Sequence, residues 1–450
     1  MKPLFGTDGI RGAAGQFPLD ATTVNAIGFS LARHLSKTTG APEIIIGRDT
    51  RESGDWLERA LMAGATRAGG KCLSAGVITT PGVAFLTRKL DADAGVVISA
   101  SHNPYQDNGI KIFSPSGQKM DDSVEQVIEA DIYAGVSEQP ASSDSAAPSP
   151  EQEASLQQDY LAFLSDHIGA GLDLHNLKIV IDCANGASSA LAPELFSRLG
   201  ANIVAINAAP DGRNINLNCG SLHIDSLRER VVAEKADLGV AFDGDADRSL
   251  FVDEKGNFVD GDATLWVLAN HLRSHGRLND DTVVATVMSN IGLEIAFRGA
   301  GIKLVRTDVG DKYVLDELLR LKASLGGEQS GHIILPEVSL AGDGMITALS
   351  LVRALQEPAK SLGEATDGFH TFPQILVNVR VLEKRPFADL PGVQKAADEV
   401  EKQLENKGRL LLRYSGTEPL ARIMIEGEHQ DEIKAYAQKI AAAIEWETGA

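Results

Sequence analysis

Cysteine is scarce: three in 450 residues, at positions 72, 183 and 219. An odd number this far apart excludes a disulfide framework and leads us to expect a reducing, cytoplasmic setting. Basic charge is also short. Forty-two Lys and Arg face 62 Asp and Glu, a formal net charge of −20. Such a chain repels a polyanion, so no nucleic acid is expected as partner. No apolar run reaches the about 18 residues of a membrane span, and no membrane partner is expected. No apolar stretch precedes Asp8 to form the core of a secretory leader. What is present is ordinary for a globular protein: 43% hydrophobic residues, 23% charged residues and 44 Gly. These values exclude a collagen, a coiled coil and a disordered chain. An anionic ligand would need basic residues gathered locally against the overall field.

Length predicts about three domains at roughly 150 residues each. Pattern predicts four. Residues 1–154 alternate short apolar runs with helical periods: strands at 43–46, 72–78 and 94–99, helices at 53–68 and 81–90. A Ser-, Ala- and Pro-rich stretch at 136–154 closes this segment as a linker. Residues 155–248 predict strands at 177–181, 201–206 and 238–242 with helices at 188–199 and 227–235. Residues 249–369 open with a hairpin at 249–259 and alternate to a strand at 324–335 and a helix at 345–355. Residues 370–450 read β-α-β-β-α. The expected class is α/β: three related mixed-sheet α/β domains and a smaller C-terminal α+β domain.

Four loops carry chemistry. Asp243-Gly244-Asp245-Ala246-Asp247-Arg248 follows an apolar strand. Three carboxylates in five residues, alternating in an extended loop, converge and demand a hard cation such as Mg²⁺, Mn²⁺ or Ca²⁺. A calcium loop is the rival, since Asp243, Asp245, Asp247, Ser249 and Glu254 have its spacing; Arg248 stands where that motif requires Gly. Ser99-Ala100-Ser101-His102-Asn103-Pro104 presents Ser101 at a strand end as a nucleophile able to hold a covalent group. A serine hydrolase is a second reading of Ser101 and His102, without the G-x-S-x-G elbow. Lys111 lies close downstream. Gly327-Glu328-Gln329-Ser330-Gly331-His332 offers Glu328 and Ser330 to sugar hydroxyls and His332 to proton transfer. Arg413-Tyr414-Ser415-Gly416-Thr417-Glu418-Pro419, followed by Arg422, is an anion loop. Each loop alone also reads as an ordinary polar turn.

Together, and in this order, the loops resemble the α-D-phosphohexomutase superfamily over essentially the whole chain. The opening Phe5-Gly6-Thr7-Asp8-Gly9-Ile10-Arg11-Gly12 adds to the likeness. Gln329 and the 214–221 stretch favour its glucosamine branch; a phosphomannomutase or phosphoglucomutase is the alternative, and a sugar-phosphate-binding regulator the non-enzyme one. The resemblance implies four domains around a central cleft. It implies a phosphoryl group on Ser101, placed there by an activating kinase or by autophosphorylation. It implies one Mg²⁺ held by that group with Asp243, Asp245 and Asp247, and a glucosamine 1,6-bisphosphate intermediate. Arg413, Ser415, Gly416, Thr417 and Arg422 would hold the idle phosphate. Glu328 and Ser330 would hold the ring. Lys111 and His332 would move protons, with Arg11, His102 and Arg248 beside the transferred group. A monomer or homodimer taking a small sugar phosphate is expected.

Overall fold

The computed structural model describes residues 3–6, 8–136, 149–405, 407–415 and 419–449. They form two compact units, Met1–Val287 with Val305–Asp367, and Met288–Leu304 with Gly368–Ala450. No described helix is long and apolar enough to cross a membrane.

The first unit holds three sheets. The N-terminal sheet runs in the order Phe5–Gly6, Gly9–Ala13, Asp107–Phe113, Ala94–Ile98, Glu43–Arg48, Lys71–Val77. Its Val- and Ile-rich centre is parallel (43–48 with 71–77 and with 94–98), and 107–113 joins antiparallel. Ala94–Ile98 is buried throughout, as expected of a strand covered on both faces. Helix Ala21–Thr39 packs on helix Gly54–Arg67. Their axes approach so closely that a Cβ on Gly28 would lie 2.1 Å from Leu61 O, and one on Gly64 1.9 Å from Asn25 O. The second sheet runs Phe258–Val259, Ser249–Asp253, Leu238–Phe242, Lys178–Asp182, Asn202–Ile206. The third contains Thr282–Thr286 parallel to Gly326–Gly327, which pairs antiparallel with Ile333–Ile334.

The second unit carries an antiparallel sheet ordered Gln374–Arg380, Leu420–Gly427, Gly408–Tyr414. Helices Pro391–Leu404 and Gln430–Thr448 bury Val393, Val400, Ile433, Ile440 and Ile444 against it. This is the β-α-β-β-α order read from the pattern.

Two expectations change. Residues 324–335 are not one strand: Gly326–Gly327 and Ile333–Ile334 face each other across a five-residue turn. Gly331, at φ +90°, lets the chain reverse there, with its N–H bonded to Glu328 O at 3.0 Å. The 136–154 linker is partly helical, because Pro150 at the helix start and the Ser149 hydroxyl on Gln152 N–H begin helix Pro150–Ala162; residues 137–148 lie outside those described. Lys111 is carried by strand Asp107–Phe113, buried from Asn108 onward.

The helix Pro150–Ala162 is tied into the first unit by Tyr160, whose buried hydroxyl donates to Asp343 Oδ2 at 2.6 Å. Asp343 also caps helix Gly344–Gln356 through Met345 and Ile346 N–H. Burial lifts its carboxyl from 3.8 to about 6, although these bonds oppose the lift. A folded-state value above the unfolded one means that stability is fullest below about pH 4 and is lost as pH rises towards 6. Asp343→Asn should remove this dependence. Between pH 4 and 7 the stability difference between wild type and variant should swing in the variant's favour by on the order of 3 kcal/mol. Melting curves at several pH values measure it, and parallel curves would contradict the assignment.

Candidate active site

The acidic loop is shaped by register. Strands 238–242 and 249–253 pair antiparallel up to Phe242↔Ser249, so Asp243–Arg248 must close as a six-residue hairpin loop. It is a turn, not the extended segment expected: Ala246 N–H bonds Asp243 O at 3.1 Å and Ala246 takes φ +55°. The turn still converges the three buried carboxylates, whose ligand-capable oxygens lie within 4.8 Å of one another. Strands on both sides, and Glu254 engaged with the Ser361 hydroxyl (3.0 Å) and Gly363 N–H (3.2 Å), rule out the calcium-sensor loop.

Ser101 meets this loop. Its Oγ donates to Asp243 Oδ2 at 2.6 Å, while His102 Nδ1 is 3.4 Å away. The nearest partner of the hydroxyl is a carboxylate, which disfavours the hydrolase reading. Ser101 sits in left-handed backbone at φ +51° and is buried. Gly244 admits the close approach, since a Cβ there would stand 2.4 Å from Ser101 O.

The side chain holding that conformation escaped the sequence reading. Arg51 is 1% exposed. Its guanidinium donates to Asp49 Oδ2 (2.8 Å), Ser101 O (3.0 Å), Asn103 O (2.8 Å), Asp107 O (3.1 Å) and Pro104 O. Asp49 Oδ2 also accepts from Ser99 Oγ at 2.6 Å, and Ser99 Oγ accepts from Ser101 N–H at 3.0 Å. Asn216 Nδ2 donates to Ser101 O at 2.9 Å and Asn103 O at 3.1 Å. The Gly47-Arg48-Asp49 strand stop was visible in the sequence; that Arg51 turns back under the Ser101 loop was not.

Lys111 Nζ lies 3.2 Å from Asp245 Oδ2, 3.3 Å from Asp247 Oδ2 and 3.2 Å from Asp8 Oδ1. Burial disfavours its charge, but Asp245, Asp8 and Asp247 hold its ammonium well above the usual range. Burial also opposes ionisation of Asp247, yet Lys111, His332 and Arg248 hold it well below the usual carboxylate range. Asp243 goes the other way, pushed up by burial and by Asp247 and Asp245. His332 Nδ1 is 3.7 Å from Asp247 Oδ1. Burial would lower it; Asp247, Asp311 and Glu328 lift it to about 9. His102 is lowered by burial, Arg248 and Arg11, and Arg248 Nη1 lies 3.3 Å from its Nδ1. Arg11 pairs with Asp8.

The loop of residues 327–332 docks on the acidic hairpin, Ser249 N–H donating to Gly331 O at 3.1 Å. Glu328 accepts from Gly310 N–H at 3.2 Å and from Ser330 Oγ at 3.1 Å. Arg11, His102, Asp247, Arg248, Glu328 and His332 line a cleft of about 470 Å³. The structure thus gathers Ser101, His102, Lys111, Arg11, the three aspartates, Arg248, Glu328, Ser330 and His332 within the first unit. It adds Asp8, Arg51, Thr80 and Asn216, Thr80 Oγ1 donating to Asp245 Oδ2 at 2.5 Å.

A hard cation suits the trio. Asp245 Oδ1 is buried without a hydrogen bond among the described residues, and every ligand on offer is an oxygen.

In the second unit Arg413 and Arg422 are directly opposed across the ladder. Like charges so placed repel unless an anion joins them. Arg422 Nη2 lies 3.5 Å from the buried Ser415 Oγ, and Lys384 Nζ donates to Ser415 O at 2.5 Å. Gly416 and Thr417 lie outside the described residues.

Comparisons with known proteins cover the same ground. Four phosphoglucomutase/phosphomannomutase domain families match: alpha/beta/alpha domain I at residues 2–138, domain II at 158–256, domain III at 260–372 and the C-terminal domain at 376–443. A phosphoglucosamine mutase of Solibacter usitatus is 51% identical over 452 residues, covering 100% of this chain and 99% of the relative. Among solved structures, a phosphoglucomutase/phosphomannomutase family protein of Burkholderia thailandensis aligns at TM-score 0.78 and 22% identity, over 99% of this chain and 98% of its own. The N-acetylphosphoglucosamine mutase of Aspergillus fumigatus, solved with GlcNAc-6P and magnesium, aligns at 0.65 and 19%, over 99% and 96%. Both structures share the fold.

Proposed function

We infer the chemistry of the cleft from one fact: the chain belongs to the phosphoglucosamine mutase family. It is an isomerase that interconverts glucosamine 6-phosphate and glucosamine 1-phosphate. The single observation that carries the mechanism is the Ser101 hydroxyl 2.6 Å from Asp243, at the edge of three converged carboxylates.

Ser101 works as a phosphoserine. Its phosphoryl group passes to O1 of glucosamine 6-phosphate: the P–Oγ bond breaks, a P–O1 bond forms, and the O1 proton leaves. The resulting 1,6-bisphosphate turns over in the cleft. Its O6 phosphoryl then returns to Ser101, O6 takes up a proton, and glucosamine 1-phosphate departs. Asp243, Asp245 and Asp247 would hold a divalent cation, Mg²⁺ by its match to oxygen ligands and by the magnesium in the Aspergillus relative. When bound, that cation supplies Lewis-acid stabilisation to the transferring phosphoryl oxygens. Lys111, Arg248 and Arg11 bring fixed positive charge to the same oxygens, replacing water with preorganised donors. His332 is the proton carrier, Lys111 staying charged between Asp245, Asp8 and Asp247, and the His102 imidazole sits beside Ser101. Glu328 and Ser330 orient ring hydroxyls. Arg413, Ser415 and Arg422, with Gly416 and Thr417, receive the idle phosphate in both orientations. The working divisions of the chain are 1–154, 155–248, 249–369 and 370–450, one loop from each. A kinase or autophosphorylation charges Ser101, and the enzyme acts as a monomer or homodimer in the cytoplasm.

The test is a rate comparison on glucosamine, glucose and mannose phosphates, with Mg²⁺ and with chelator. Glucosamine phosphate should be preferred by tenfold or more, and chelation should remove about 10³-fold of the rate. A preference for mannose or glucose phosphate would move the chain to the sister activity. Full activity in chelator would remove the cation.

A further inference from the structure

The cleft contains a carboxylate that neither the cation trio nor the ring-binding pair employs. Asp311 opens helix Asp311–Leu321 and lines the cleft beside Glu328 and His332. Its Oδ1 accepts from the Lys312 backbone N–H at 2.8 Å. The Lys312 ammonium is committed elsewhere, with Asp122 at 2.8 Å from both carboxylate oxygens. No basic side chain among the described residues forms an ion pair with Asp311 within 4.0 Å, whereas Asp8 pairs with Lys111 and Arg11. Burial raises Asp311 above its ordinary value, with His332 and then Lys111 opposing it and Asp8 and Asp247 adding to it. A desolvated carboxylate facing a binding cleft gains most from a cation delivered by the ligand.

Building on the glucosamine phosphate reading, the substrate brings one such cation, its protonated 2-amino group. That nitrogen is one carbon from C1 and across the ring from C6. Asp311 lines the cleft together with His332 and Asp247, which lie 3.7 Å apart at its transfer end. The ammonium reaches that end when O1 is presented to Ser101, and turns away when O6 is. We propose that Asp311 is the ammonium reader of the cleft, a specificity-determining residue that binds the protonated 2-amino group in the O1-reacting orientation. A glucose phosphate places a hydroxyl there and brings the half-buried carboxylate no cation of its own beside His332, the kind of mismatch that discriminates strongly.

The experiment compares wild type, Asp311→Asn and Asp311→Ser on glucosamine 6-phosphate and glucose 6-phosphate. Both variants should lower the glucosamine-to-glucose ratio of kcat/KM by about tenfold or more. In single turnover from phosphorylated enzyme, transfer to glucosamine 6-phosphate should slow more than transfer to glucosamine 1-phosphate. An unchanged ratio, or equal loss on both sugars, overturns the inference. If turnover is too slow to read, titration calorimetry with the two 6-phosphates decides: an unchanged affinity ratio overturns it. A wild-type enzyme inactive on glucosamine phosphate defeats the functional reading instead, whereas variants that keep the wild-type preference defeat only the role of Asp311.

Discussion

Ser101→Ala is expected to lower turnover by at least about 10³-fold, even with added 1,6-bisphosphate. Alanine has no oxygen to accept phosphorus, and the residual rate would come from charge stabilisation alone. The fold should survive. The loop backbone is held by Arg51 and Asn216 through main-chain oxygens, none of which the substitution removes. The Asp243 carboxyl loses its hydroxyl partner and gains more room for protonation, so a small change in melting temperature is the expected structural effect. Mass measurement of the intact protein adds an independent readout: wild type should carry a phosphoryl group that the variant cannot. Turnover within tenfold of wild type would end the covalent-carrier mechanism, whatever the state of the cation site.

Arg51→Lys is the second large effect. Lysine keeps the charge opposite Asp49 but presents its donors from one point, whereas the guanidinium spans four carbonyls and one carboxylate. The Ser101 loop would lose the frame that holds φ at +51°. Misplacing a nucleophile by about 1 Å costs on the order of 10²-fold, so kcat should fall about that far while KM changes little. That split separates a positioning residue from a merely structural one, because simple destabilisation would lower the amount of active enzyme without slowing phosphoryl transfer per folded molecule. Single-turnover transfer from phosphorylated Arg51→Lys enzyme is the measurement, and a wild-type rate would remove Arg51 from the mechanism. Arg51→Ala should go further and destabilise the N-terminal sheet, since burial already pushes Asp49 up and it would lose the guanidinium that opposes this, a loss typically worth about 3–5 kcal/mol.

The difference between these two residues shows where sequence reading works. Ser101 and the aspartates are local: hydroxyl, carboxylates and the strand that delivers them lie within a few positions, so residue type and spacing announce the chemistry. Strand 238–242 was legible from its apolar run, and the hairpin that follows from the turn at 254–257. Arg51 is nonlocal. It acts on residues about 50 positions away, which become neighbours only because strands 43–48 and 94–98 pair in parallel. The convergence of Asp243, Asp245 and Asp247 was expected for the wrong geometric reason. Alternation in an extended loop was assumed, and a tight turn through Ala246 brings it about instead. Asp311 belongs to the nonlocal class as well, since a single acidic residue at a helix start has no distinguishing pattern.

From the chain alone came the α/β class, the order of the four chemical loops and the residues proposed as nucleophile and cation ligands. All of these depend on neighbours in sequence, through hydrophobic period, turn residues and the repulsion of clustered carboxylates. Only the tertiary structure decided which cations face the trio, that Arg51 frames Ser101, and that Asp311 stands in the cleft with no ion pair of its own among the described residues. Those are long-range facts: burial and pairing set the charge state of a group, and both are properties of residues that the fold, and not the chain order, makes adjacent.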